Sequence, residues 1–522
     1  MSVKSRTSRS ARVCFNCACV VVMAALVAGC ASNAESLAPA SPTQPWTPGN
    51  RSGSSLLPSK GGQGSTGTDA QARDFSVLGN PAVADMPPPP QTQAGKVYQL
   101  PELIDIAARN NPTTRVAWEH ARQSALAVGI AEATFLPSIS ANAVGGVQST
   151  ETPVQALGVQ RYLDTTARGV TSSLAFQWLL FDFGQRSAVV DAAKQVSFAA
   201  NVMFNASHQR LIFSVTQTYY QYGAARTRVD IAEQTLRNSR AIYAAAVQRE
   251  KGGIGTTVEV AQARQQVAQS ELRRVVAQGQ EQDAYQALLG AMGVSPTLAI
   301  KVANAGNRRL PSAVNLPMDD MIKLALRRRP DVLASYATIK ASEAGVDAAK
   351  ADYLPKVFVA GGVATGSGSF NASGLPTIGQ QTSATGVLVG ATMPLFDGGV
   401  RSANLRAAQS RVSAAQDIFK KTQQDAVREM VVASNAVRSA LQSYQAATRL
   451  TEAATITYDA ALDAYRNGLG TITAATAADT GLLDARQARA DAHMAALVAA
   501  SNLAFVLGSM TSRDTPDLML PR

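Results

Sequence analysis

The chain has 522 residues, 46% of them hydrophobic, 16% charged and only 6% aromatic, enough length for a large core or several layers built mostly from small side chains. Its net charge of +11 falls to +7 once Lys4, Arg6, Arg9 and Arg12 of the basic N-terminus are set aside. That charge is modest for the length, and no dense Lys/Arg run carries interleaved aromatics, which argues against nucleic acid as a partner.

Residues 1–29 combine a basic start with an apolar stretch from Val20 to Ala28, too short to span a bilayer as a helix and suited to a secretory signal. The stretch ends in Leu26-Val27-Ala28-Gly29-Cys30, which resembles the bacterial lipobox and implies lipidation of Cys30. Ala31, where an aspartate would imply retention at the inner membrane, points to the outer membrane. The other cysteines are Cys14, Cys17 and Cys19. A Cys-x-x-Cys pair can serve metal or redox chemistry, but this one lies inside the signal, so the mature chain keeps one cysteine and no disulfide. Beyond Cys30, residues up to 95 hold ten of the 23 prolines and several Gly/Ser runs, a composition that cannot offset its ordering entropy by burial and reads as a tether.

From Leu100 the apolar spacing becomes helical through Ile106, restarts at Pro112 and runs to Phe135-Leu136-Pro137. The period then changes to two along 138–147, and again along 170–180, where Val170, Leu174, Phe176, Trp178 and Leu180 share one face. A polar loop near 149–167 would separate two strands of about ten residues, the length that a tilted membrane-spanning strand needs. A soluble hairpin with one apolar face fits the same pattern. Trp178, Phe181 and Phe183 fall where an interfacial aromatic girdle would lie.

Phe181-Asp182-Phe183-Gly184-Gln185-Arg186 then opens a proline-free helical run to Glu250, which as one helix would be about 100 Å long. Asp182 is placed to cap the new helix and Gly184 to allow a bend. The run breaks at Gly253-Ile254-Gly255-Thr256, and a return helix reaches Leu289-Gly290. All of this occurs twice. Phe396-Asp397-Gly398-Gly399 repeats the opening phrase and Gly468-Leu469-Gly470-Thr471 the break, both at an offset of 215. Asn111-Pro112/Arg329-Pro330, Phe135-Leu136-Pro137/Tyr353-Leu354-Pro355 and Leu289-Gly290/Leu507-Gly508 pair at 218, which requires two compensating three-residue length changes. Phe183 stands opposite Gly398, so the two junctions should bend differently. The expected organisation is a signal (1–29), a lipidated tether (30–95), a first repeat (96–290, hairpin 137–181), a connector (291–317), a second repeat (318–510, hairpin 355–396) and a tail (511–522).

One chain thus supplies four strands. A closed membrane barrel needs at least eight and an open edge cannot face lipid, so transmembrane strands would require several chains per barrel, with the helices extending it as a tube. The paired halves, with Arg329-Pro330-Asp331, Pro394-Leu395-Phe396-Asp397-Gly398-Gly399 and the twin glycine breaks, make the chain resemble the TolC/OprM family of outer-membrane channels over roughly 96–510. The resemblance implies a mixed fold: a homotrimer with a twelve-stranded transmembrane β-barrel continuing into a long α-helical periplasmic tunnel. It implies outer-membrane lipid around the barrel, a periplasmic adaptor and an inner-membrane pump of RND or ABC type as partners, and passive passage with no enzymatic step and no cofactor. It makes Gly253, Ile254, Gly255, Thr256, Gly468, Leu469, Gly470 and Thr471 the adaptor-docking tips. Acidic side chains beside such tips narrow the tunnel mouth in the family. Glu259 falls on such a position, but its counterparts are Ala474 and Ala477, with Asp479 only nearby, so the acidic ring is incomplete. A solvated helix face is the plain alternative for Glu259.

His120, His208 and His493 are far apart and no ligand-spaced His or Cys set occurs in the mature chain, which disfavours an enzyme. A trimeric coiled-coil scaffold without a channel would not need the matched hairpins, and a general porin would be mostly strand. Lipidation favours a drug-efflux role, whereas Asn110-Asn111-Pro112-Thr113-Thr114-Arg115-Val116-Ala117-Trp118 looks more like the CyaE-like branch serving type I protein secretion. The sequence leaves the cargo open between them.

Overall fold

The computed structural model describes residues 95–156, 159–304, 310–311, 318–372 and 376–510, together with 83–84, 90 and 92–93. Cys30, the signal, most of the tether and the tail beyond 510 lie outside the described residues.

Two short helices open the first half, α1 (Leu100–Asn110) and α2 (Pro112–Ala133), each with a proline in its first turn where no N–H is needed. A hairpin of β2 (Ser138–Ala156) and β3 (Val159–Phe181) follows, after the two-residue strand β1 (Val97–Tyr98) ahead of α1. Then come the 67-residue helix α3 (Gln185–Lys251) and its return partner α4 (Thr257–Met292). The second half repeats the order with α5 (Met318–Leu326), α6 (Pro330–Ala351), β5 (Lys356–Ala372), β6 (Ile378–Thr392), the 67-residue α7 (Val400–Arg466) and α8 (Ile472–Val506). Between the halves β4 (Lys301–Val302) pairs in parallel with β1, a small sheet inside the stretch read as a plain connector.

The four long strands form one antiparallel sheet in the order β2-β3-β5-β6, leaving β2 and β6 as its edges. The first hairpin is longer than its hydrophobic pattern indicated. Pairing continues from Ser138↔Gln177 to Ala156↔Val159, so the stretch read as a polar loop at 149–167 is almost all strand. The ladder is closed by backbone hydrogen bonds that polar side chains do not interrupt, and a polar strand is stable wherever both its faces meet water. At its far end β3 carries a bulge, because Leu179 pairs with Phe358 and Phe181 with Val357. The extra residue, Leu180, ends the strict alternation read along 170–180.

The repeat also differs from its sequence reading. Gly293 and Gly508 both take left-handed backbone, φ +70° and +66°, just past α4 and α8. A Cβ on Gly293 would lie 2.8 Å from Asn111 Cα, and one on Gly508 3.2 Å from the Arg328 carbonyl oxygen. These two glycines are the true equivalents, at an offset of 215, whereas Gly290 lies inside α4 with open space around it. The return helices therefore need no length change, and the single three-residue difference falls in the hairpins. The start of α2 is fastened to the end of α4 by Asn111 Nδ2 donating to the Ala291 carbonyl (3.0 Å). The start of α6 is fastened to α8 by Arg329, which donates to the Val506 carbonyl (3.1 Å) and to Asp331 and Glu429 (2.6 and 2.7 Å).

Helix packing is apolar and combines large side chains with many alanines. One cluster joins Leu103, Ile104, Tyr219, Tyr220, Leu288 and Met292 of the first half with Leu497 of α8, and a second joins Val332, Met430, Val437, Leu441 and Leu503 of the second half. A third, with Ile242, Tyr458, Leu462, Tyr465, Ile472 and Leu482, crosses between the halves near the turns that end α3 and α7. Among the described residues no helix is long and apolar enough to cross a membrane.

Candidate functional site

Two places carry the chemistry: the junctions where sheet becomes helix, and the tips where long helices turn back. At the first junction Asp182 Oδ1 accepts the Gly184 N–H (3.3 Å) and Oδ2 the Arg186 N–H (3.0 Å), the capping role expected of it. Arg186 then folds back. Its Nε donates to Asp182 Oδ2 at 2.7 Å, and its Nη groups donate to the carbonyls of Thr134 (2.9 Å), Leu179 (2.7 Å) and Leu180 (3.3 Å). Its guanidinium also lies 4.6 Å from the centre of the Phe135 ring. One buried cation thus satisfies the carbonyls freed by the β3 bulge and joins the end of α2, the strand and the helix start.

The second junction repeats the frame. Asp397 accepts from the N–H groups of Gly399 (3.0 Å) and Arg401 (3.1 Å) and from Arg401 Nε (2.6 Å), and Arg401 stacks over Tyr353 at 5.2 Å. These bonds hold the Asp397 carboxyl below its usual range, the Arg401 side chain being the main cause. The expectation that the junctions bend differently does not hold. Gly184 and Gly399 have φ +94° and +92°, and before them Phe183 and Gly398 have +53° and +65°. Phe183 is the only non-glycine at positive φ among the described residues. The capping bonds on either side hold it there, at a strain of about 1–2 kcal/mol. Its ring meets Phe181 edge-on at 4.6 Å. Phe396 is 90% exposed. The two junctions differ in their surroundings instead, since β6 stops at Thr392 while β3 runs through Phe181.

At the tips Gly253 and Gly468 take left-handed backbone, φ +73° and +82°, and end their helices. The N–H groups of Ile254 and Gly255 bond the Arg249 carbonyl, and those of Leu469 and Gly470 bond the Ala464 carbonyl. Thr256 and Thr471 then cap the return helices, accepting the N–H groups of Glu259 (3.3 Å) and Ala474 (3.2 Å). Ile254 and Leu469 stand exposed at the two ends, 66% and 87% accessible.

The tips are bound to each other by residues the sequence reading passed over. Arg249 Nη1 donates to the Tyr465 carbonyl (2.8 Å), and its guanidinium stacks on the Tyr465 ring at 4.9 Å. The Tyr465 hydroxyl donates to Glu259 Oε2 (3.2 Å), and Arg249 Nε lies 3.9 Å from the same oxygen. Burial, and then the Glu259 charge, pushes the Tyr465 hydroxyl up to about 12, so it remains a donor throughout the neutral range. Glu259 is therefore half-buried in a tie between the halves instead of lying on a solvated face. Ala474 and Ala477 are exposed and bring no charge.

Asp479, proposed beside the mouth, is corrected by the structure: it is wholly enclosed among α3, α4, α7 and α8. The Ser239 hydroxyl donates to Oδ2 at 2.9 Å, so Ser270, 2.9 Å from Ser239, must donate to Ser239 in turn. Oδ1 has no hydrogen-bond partner. Burial raises the Asp479 pKa, against the smaller opposing effects of Ser239, Asn238, Gln266 and Arg273. A raised folded-state value means that packing around Asp479 is favoured at low pH and weakens as pH rises through that value. Asp479→Asn should therefore raise the thermal midpoint of the detergent-purified protein, and by more at high pH than at low pH. Parallel pH profiles for both proteins would rule out titration of Asp479.

His208 sits edge-on to Phe204 and His493 tilts against Tyr444, and among the described residues no cluster of His, Cys, Asp and Glu is arranged to hold a metal. Of the missed residues, Arg186 and Arg401 had a signal in the sequence, an Asp-x-x-x-Arg spacing in both phrases. Arg249 and Tyr465 had none, because their counterparts are Ala464 and Glu250.

Comparison with known proteins bears on this architecture. The family model described as outer membrane efflux protein matches residues 103–294 and 321–509. Protein CyaE of Bordetella pertussis is 26% identical over 430 residues, covering 81% of this chain and 88% of its own length. Outer membrane protein OprJ of Pseudomonas aeruginosa is 27% identical over 332 residues, covering 64% and 67%. The crystal structure of a membrane protein from Pseudomonas aeruginosa superposes with a TM-score of 0.66 at 24% identity, over 80% of this chain and 91% of that one.

Proposed function

The chain belongs to the outer membrane efflux protein family, and from that membership we infer that it is the outer-membrane exit duct of a tripartite export system, completed by a periplasmic adaptor and an inner-membrane pump. Members of this family are channel and transport proteins. The observation that carries the reading is a four-stranded sheet with two unpaired edges that passes directly into two 67-residue helices.

Three copies would close that sheet. Edges β2 and β6 expose unpaired backbone groups that lipid cannot satisfy, so β6 of one copy pairs with β2 of the next, giving twelve strands. The helices call for the same closure. α6 packs against both α3 and α7, whereas its repeat counterpart α2 packs against α3 and lacks comparable packing on α7. The free side of α2 fits α7 of a neighbouring copy. The junction aromatics then lie at the periplasmic edge of the bilayer, and the tips face the adaptor, with Ile254 and Leu469 as its apolar contacts. A lipid on Cys30 would anchor each copy.

The relation to CyaE supports a second reading of the cargo: the same duct serving type I secretion with an ABC transporter, in place of small-molecule efflux with an RND pump. The duct itself is common to both. Purified protein should migrate on unheated gels as a species of three chains, collapse to one on boiling, and conduct ions in planar bilayers. A helical trimer that passes no current would leave the trimeric coiled-coil scaffold in its place, and a protein that stays monomeric would contradict both readings.

A further inference from the structure

A cavity of about 280 Å³ lies between α3, α7 and α8, near the middle of the long helices. Three basic side chains of α8 line it: Arg486, Arg489 and His493. Their spacing of three and seven residues puts them on one face of the helix. His493 closes that side against the Tyr444 ring, 5.3 Å away between centres. None of the described residues that line the cavity is a carboxylate. Asp491, on the same helix, is engaged by Arg228, which donates twice to its Oδ1 at 3.0 and 2.7 Å. Among the described residues Arg486 and Arg489 have no ion-pair partner. Much of the remaining wall is apolar, with Ile231 on α3 and Met494 and Leu497 on α8. The first return helix does not repeat the pattern. At the offset of 215, Arg486, Arg489 and His493 become Glu271, Arg274 and Gln278, and Gly223 in the opposite wall becomes Arg438. Glu271 is paired with Arg240 at 2.9 Å. The cationic cavity is therefore a property of this one seam and not of the duplicated helix frame.

We propose that this cavity binds a small organic anion, a carboxylate carried on an aromatic or short aliphatic body. Two guanidinium groups that share a concave wall without a counter-charge repel each other, and an anion between them turns that repulsion into attraction. Their planar forks match a carboxylate and donate paired N–H bonds to it. The body of the ligand lies against Ile231, Met494 and Leu497, with the Tyr444 ring as a flat contact beside the charge. The volume, just under the ~300 Å³ at which ligand pockets begin, sets the size of the ligand. Every wall comes from one chain, so the site depends neither on closure of the trimer nor on the duct reading.

Benzoate is the probe, added at fixed ionic strength to the full-length detergent-purified protein and followed by calorimetric titration and by thermal midpoint. It should bind saturably and raise the midpoint. Benzyl alcohol, which keeps the ring without the charge, and benzylammonium, which reverses the charge, should do neither. Inorganic phosphate, a charge without a body, should bind about tenfold more weakly or less. Arg486→Gln combined with Arg489→Gln should weaken benzoate binding by about tenfold or more, whereas Arg411→Gln, at an exposed arginine of α7, should leave it unchanged. Helical circular dichroism checks the fold of the double variant. Ala490→Leu, which fills the cavity and keeps both arginines, should reach the same loss by another route. Absence of saturable benzoate binding, or binding that survives both the double variant and Ala490→Leu, would overturn the proposal. Phosphate binding as tight as that of benzoate would overturn the organic class of the ligand, and equal binding of benzyl alcohol would overturn the role of the arginines.

Discussion

Arg186→Ala should be the most damaging single truncation in the described part of the chain. It removes a guanidinium that donates to Asp182 and to three carbonyls from two different segments. The Asp182 side chain is only 6% exposed, so its carboxylate would be left enclosed without a cation. Breaking a buried pair in this way costs about 3–5 kcal/mol. Phe183 would also lose part of the frame that holds its left-handed backbone. The measurable outcome is a fall of several degrees in the thermal midpoint of the purified protein, with less of it recovered in the outer membrane. Arg401→Ala is the internal control. Its partner Asp397 is more open, at 25% side-chain exposure, and among the described residues no carbonyl bonds of the Arg186 kind accompany it, so the loss should be clearly smaller. Equal losses at the two sites would contradict the ranking by burial. Asp182→Ala combined with Arg186→Ala should recover only part of the deficit, because the bulge carbonyls of Leu179 and Leu180 stay unpaired.

Glu259→Lys should raise the current through the channel several-fold and shift its ion preference away from cations. The substitution puts a second cation beside Arg249, 3.9 Å from the present carboxylate, and removes the acceptor of the Tyr465 hydroxyl. Attraction between the tips becomes repulsion at a site partly shielded from solvent. A seam that is normally held shut within each chain would then leak. Glu259→Gln separates charge from hydrogen bonding, since its carbonyl can still accept from Tyr465. It should keep near-native current and lose only part of the cation preference. Single-channel recording in planar bilayers reads both variants. Unchanged current and unchanged selectivity in Glu259→Lys would remove Glu259 from the mouth.

The sequence by itself determined whatever depends on neighbours in the chain or on the repeat. Helix and strand periods, the proline-free runs of α3 and α7, the capping aspartates and the glycine turns are local, and each is written twice. So is the Asp-x-x-x-Arg spacing, although each aspartate lies ahead of its helix and the left-handed backbone of the two residues after it is what brings carboxylate and guanidinium together. The order of elements, and with it the need for several copies to close the sheet, came from counting strands against the demands of lipid. Tertiary structure decided the rest. Arg249 meets the Tyr465 carbonyl across 216 residues, Tyr465 meets Glu259 across 206, and Ser239 meets Asp479 across 240. No local pattern marks such partners, because they come together only when two helical hairpins are laid side by side, and the repeat does not preserve them. Strand length was misread for a related reason: side-chain polarity reports which face meets lipid or water, while the ladder is built by backbone groups that every residue carries. Phe183 shows the limit most clearly. Its side chain argued for a bend unlike that at Gly398, yet the bonds of Asp182 and Arg186 around it impose the same backbone at both junctions.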